Sequence, residues 1–154
     1  MGDDAQRFAT EASGVRSADS VETGEFLHVY RGQSRETDDQ NVRFLSLSPT
    51  VTDDAVVDAF TRAAGQWQNP STHPNIVSVY DRGTTPRPWI AVEEVTGQSL
   101  TAVQSNLSLV EARTVVVDTA EALRNAGLYN TMHLSLSPAD VWVVRSDTGV
   151  VGVV

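Results

Sequence analysis

The densest grouping of chemically capable side chains is His133-Leu134-Ser135-Leu136-Ser137-Pro138-Ala139-Asp140-Val141, which brings an imidazole, two hydroxyls and a carboxylate close together in the chain. Asp140 has the chemistry of a magnesium ligand, since hard cations take carboxylate oxygens; the competing reading is a loop carboxylate in an acidic protein. Ser135 cannot act as a general base, because its hydroxyl is neutral at any physiological pH. His133 and His73 read as packed or hydrogen-bonded scaffold residues, as no motif sets a serine and an aspartate beside either of them as a triad requires. His28, His73 and His133 lack the spacing of a zinc motif, and the absence of cysteine excludes disulfides and thiolate metal sites. Lysine is absent too: all eleven basic residues are arginine.

A chain of 154 residues holds one core, or two small lobes sharing a seam, but not two independent domains of ordinary size. Twenty acidic residues against eleven basic ones give a net charge of −9, which opposes binding to nucleic acid or to an acidic membrane face. Such an acidic, lysine-free composition resembles proteins of salt-loving archaea; an ordinary acidic bacterial protein is the alternative. The start of the chain, Met1-Gly2-Asp3-Asp4, is acidic and has no apolar core, and no window reaches the roughly 20 apolar residues of a spanning helix. The expected location is cytoplasmic.

Elements able to position these groups follow from periodicity. Residues 1–20 are small, polar and charged and are expected to form a disordered leader, with only a slight strand signal at 15–21. β-formers at 26–31 and 42–47 flank a turn-prone charged stretch and predict an antiparallel hairpin. Thr52 offers an N-cap to a helix over 53–68, with Val56, Phe60, Ala63 and Trp67 at helical spacing and Asn69-Pro70 as its stop. Strands are expected at 76–81 and 89–95. Ser108-Leu109-Val110-Glu111 is a capping box that opens a helix repeating Leu109, Ala112, Val116, Ala120 and Leu123 before Gly127. A hairpin of 141–144 and 150–153 follows it.

Taken in order, His73-Pro74-Asn75-Ile76-Val77, Trp89-Ile90-Ala91-Val92-Glu93-Glu94-Val95, Gly97-Gln98-Ser99-Leu100 and the 133–141 segment resemble the eukaryotic-like Ser/Thr protein kinases, from residue 21 onward. The resemblance implies an α+β fold: a small lobe of antiparallel sheet plus one helix at 21–95, then a truncated start of the large lobe at 96–154, with its long helix, catalytic-loop remnant and hairpin. It places the family's glycine-rich loop at Glu22, Gly24 and Leu27, where only Gly24 is a glycine. The family's Val-Ala-Ile-Lys pattern falls on Val42-Arg43-Phe44-Leu45, so Leu45 stands for the lysine that holds the α- and β-phosphates. Ala63 or Ala64 stands for that lysine's glutamate partner. In the family's His-Arg-Asp-Leu-Lys-Pro-x-Asn-Val loop the catalytic Asp becomes Ser135, the Lys becomes Ser137 and the metal-binding Asn becomes Asp140, whereas His133, Leu136, Pro138 and Val141 are kept as packing residues. Leu134 replaces the arginine through which many members read activation-loop phosphorylation.

The resemblance therefore implies a catalytically inactive kinase-like domain, a pseudokinase acting as a binding or regulatory module. Its alternatives are a divergent kinase completed by a partner chain and a fragment of a longer kinase-like protein. No cofactor is expected to bind firmly. Gly24, Val29, Val92, Glu93 and Val95 are the residues left for a weak adenine contact, with Asp140 as the one metal candidate; of its two readings the loop carboxylate is preferred, since the second metal ligand would fall after Val154. The long helix's face of Leu109, Val116, Ala120 and Leu123 is expected to need cover, from a protein partner or a second copy, and neither nucleic acid nor membrane is expected as a partner.

Overall fold

The computed structural model describes Gly2–Val154, a mixed α+β chain that divides into two compact units. One takes the chain up to Gln68 together with Val79–Glu94; the other takes Asn69–Ser78 with Val95–Val154. Residues 69–78 were expected within the small lobe, but hydrogen bonding binds them to the second unit. The Val77 N–H donates to the Val154 carbonyl (2.8 Å), the Val154 N–H to Asn75 (2.9 Å), and the Asn75 amide to Gly152 (3.0 Å).

The first unit is built on a five-stranded antiparallel sheet, β1 (Val15–Thr23), β2 (Leu27–Ser34), β3 (Asn41–Leu47), β4 (Val79–Gly83) and β5 (Trp89–Glu93), in the order β1-β2-β3-β5-β4. Period-two alternation sends Tyr30, Val42, Phe44, Trp89 and Ala91 to one face, where all are buried. Helix α1 (Gly2–Glu11) covers that face with Ala5 and Phe8, and Ala12 and Val15 follow into the same core. Residues 2–20 are thus an integral part of the unit, not a leader. The spacing Ala5, Phe8, Ala12 is helical, but two of its three members are alanines and give little periodic signal. Close approach between β1 and β2 depends on Gly32, where a Cβ would stand 1.9 Å from the Ser17 carbonyl oxygen.

Helix α2 (Asp54–Gln68) packs along β4 and β5. Its cap is Asp53, whose carboxylate accepts from the Ala55 N–H at 2.8 Å, in place of the expected Thr52. The inward stripe is offset by one residue from Val56 and Ala63, both exposed, to Val57, Phe60 and Ala64.

In the second unit, β6 (Gln98–Ser99), β7 (Trp142–Ser146) and β8 (Gly149–Val153) form an antiparallel sheet of three strands, one more than the expected hairpin. The short helix α3 (Leu100–Val103) follows β6, and α4 (Leu109–Leu128) lies on β8. Ser108 and Glu111 make both bonds of the capping box, at 3.2 and 2.8 Å. The helix runs through Gly127 and stops at Asn130, whose φ of 55° lets Thr131 and Asn130 donate back to Ala126 and Gly127. Such a left-handed residue closing two carbonyls is a Schellman motif in which asparagine takes glycine's role. Val115 and Ala122 are the fully buried residues of α4, and Val115 joins a core with Val103, Val141, Val143 and Val150. No helix among the described residues is long and apolar enough to cross a membrane.

Candidate functional site

On the sheet of the first unit, antiparallel register fixes which side chains share the face opposite Phe44. Val29 pairs with Leu45 and Leu45 with Ile90, giving one apolar row across three strands. Arg31 pairs with Arg43 and Arg43 with Val92, giving the adjacent row. Val29 and Val92, both nominated from sequence, therefore flank the same patch, and Leu45 lies in it. Glu93 belongs to the other face, since it pairs with Val42, and its charge adds to burial in raising the Tyr80 hydroxyl. Val95 falls in the second unit.

Glu94 completes the patch. Its carboxylate accepts from the Arg31 Nε at 2.6 Å and lies 3.9 Å from the Arg43 Nε, with Glu94 only 18% exposed. Like charges directly opposite each other on neighbouring strands repel, and a carboxylate between them is what makes the Arg31–Arg43 pair tolerable. Sequence reasoning passed over this cluster, although a signal was present: the resemblance aligns Arg43 with the small alanine of the Val-Ala-Ile-Lys pattern. Gly24 lies in the β1–β2 turn and donates its N–H to the Leu27 carbonyl at 2.8 Å, so that amide is already used within the turn. On α2, Ala64 is buried and Ala63 exposed, which leaves no carboxylate on the helix's inward stripe.

In the second unit the 133–141 segment is a loop. Asp140 accepts at one carboxylate oxygen from both the N–H (2.8 Å) and the hydroxyl (2.7 Å) of Ser137. These two bonds hold its carboxyl below the ordinary carboxylate range, with His133 adding a smaller lowering influence. Asp140 is thereby engaged in closing a four-residue turn, and among the described residues no three His, Cys, Asp or Glu side chains gather as metal ligands. His133, Ser135, Leu136 and Pro138 are exposed, and only Val141 of the expected packing residues is buried, because within the described residues nothing covers the outer side of this loop.

Solved structures match most of the chain. The Mycobacterium tuberculosis PknI kinase domain superposes with a TM-score of 0.72 at 26% identity, over 91% of this chain and 60% of that one. The chain has a Ser/Thr protein kinase-like fold. A cysteine-to-alanine mutant of the same domain gives a TM-score of 0.63 at 26% identity, over 85% of this chain and 57% of that one. A further PknI kinase-domain structure gives 0.67 at 25%, over 91% and 59%. This kinase-like chain thus spans about three-fifths of the length of the kinase domains it resembles. No family model matches the sequence, and no curated protein does.

Proposed function

We propose that this chain is a kinase-like module that regulates by contact and transfers no phosphate. The main support is the sequence resemblance, which aligns Leu45 with the family's phosphate-holding lysine in a chain without any lysine, together with the apolar row Val29–Leu45–Ile90 in which Leu45 lies. Loss of a positioned base, here replaced by Ser135, costs about 10²–10⁴ in rate, and loss of preorganised charge around the phosphates costs about 10²–10³ more. The test is transfer of labelled phosphate from ATP to a general protein substrate, with magnesium and with manganese. No transfer above a heat-denatured control is expected, including for Leu45→Lys combined with Ser135→Asp; transfer that is abolished by Asp140→Ala would defeat the proposal.

The surface proposed for contact is on α4. Leu109, Val110, Val116, Val117 and Leu123 are all exposed along it, and Met132 and Leu134 are exposed in the following loop. Patches of this kind mark interaction sites on soluble proteins. A protein partner or a second copy of the chain would cover it.

A further inference from the structure

Resting on that reading, we infer that Arg43, drawn to Glu94, fills the place on the first unit's sheet where an adenine ring would lie, so that the chain closes its own nucleotide face. The two apolar side chains available to grip a base, Val29 and Val92, stand on either side of Arg43: Val92 is its cross-strand partner on β5, and Val29 precedes Arg31, its partner on β2, by two residues on the same face. The kinase pattern that this chain resembles carries a small alanine at this position of the central strand. Arginine there places a long stem and a guanidinium in the gap.

The side chain is not free to swing away. Its Nε is shut off from water, and the side chain as a whole is only 32% exposed, lying toward Glu94. Removing it to admit a base would strip Glu94 of one of its two cations. A base offers neither charge in return. The closed arrangement is thus stabilised by the pairing of Arg43 with Glu94.

The experiment is a titration with adenosine, which has no phosphates and so depends on the base slot alone, followed by amide chemical shifts in the unaltered chain, Arg43→Ala and Arg31→Ala. Arg43→Ala is expected to bind at least about tenfold more tightly than the unaltered chain, a gain of about 1.4 kcal/mol, with shifts centred on Val29 and Val92. Arg31→Ala, which leaves the stem of Arg43 in place, is expected to gain nothing. If Arg43→Ala does not fold, Arg43→Val, which suits a strand better, replaces it. Saturable binding by the unaltered chain at equal affinity overturns the inference, as does a folded Arg43 variant with no gain. Phosphate transfer measured on the same samples reports separately on the proposed function, which stands or falls whatever adenosine does.

Discussion

The Phe8 ring stacks on Tyr30 with centroids 4.6 Å apart and planes 12° from parallel. Phe44 and Trp89 meet Phe8 edge-on at 5.7 and 6.1 Å, so an aromatic from the first helix is the hub of the sheet's core. Phe8→Ala is expected to cost about 3–5 kcal/mol, the usual range for emptying a buried aromatic site. Urea unfolding followed by tryptophan fluorescence measures this directly, since Trp89 is one of the rings in contact. A loss below about 1 kcal/mol would mean that α1 is not docked as described.

Acid should unfasten the same helix. Asp4 accepts from the Tyr30 hydroxyl at 2.7 Å and lies 3.0 Å from the His28 Nδ1; the Tyr30 bond is the largest cause of its lowered pKa, with Arg87 adding a weaker attraction. A carboxyl whose folded pKa lies below its unfolded one adds stability that is present above the ordinary value of 3.8 and disappears as pH falls through the folded value. Asp4→Asn is therefore expected to be less stable than the unaltered chain at neutral pH and to converge with it at strongly acid pH. Burial and the Asp4 bond both raise the Tyr30 hydroxyl, which stays a donor throughout. Parallel unfolding curves from neutral to acid pH decide the matter, and a difference that widens in acid would refute the linkage.

Gly32 offers a test of the β1–β2 contact. A methyl placed 1.9 Å from the Ser17 carbonyl oxygen must push β1 outward, so Gly32→Ala is expected to cost about 1–3 kcal/mol. Hydrogen exchange should show the loss first in the amides of β1. Unchanged protection there would show that the strands do not approach so closely.

Salt should stabilise the chain if its acidic surface suits a salt-rich setting. Twenty carboxylates against eleven arginines repel one another on balance, and screening shortens the reach of that repulsion to about 3 Å at 1 M. The expected result is a melting temperature that climbs with potassium chloride and falls on dialysis into dilute buffer. A flat response would favour the ordinary acidic protein.

The parts legible in sequence were those set by local chemistry. Ser108 and Glu111 announce the start of α4 because a capping box needs only four consecutive residues, and the hairpin of β2 and β3 shows in its β-formers. The choice between neighbouring caps was not legible: Thr52 and Asp53 both carry the right oxygen, and the folded chain uses Asp53. Likewise α1 hides behind alanines, which become a core stripe only once Tyr30 and Phe44 provide the surface to bury them. At the candidate site, the roles assigned to Leu45 and Ser135 rest on pattern alone. Pairing of Arg43 with Glu94 could not, since it joins strands far apart in the chain through a register that only the folded sheet sets.

Along α4, Val115 and Ala122 face inward while Leu109, Val116 and Leu123 face out, two runs each repeating every seven residues and offset by a single position. Neighbouring residues of one helix thus belong to two different equilibria. Val115→Asp is expected to lower the melting temperature at every protein concentration, whereas Val116→Asp with Leu123→Asp should leave a dilute monomer's melting unchanged and abolish any heavier species seen by light scattering. A shift of one residue along the chain would then separate a substitution that breaks the fold from one that merely leaves the protein solitary.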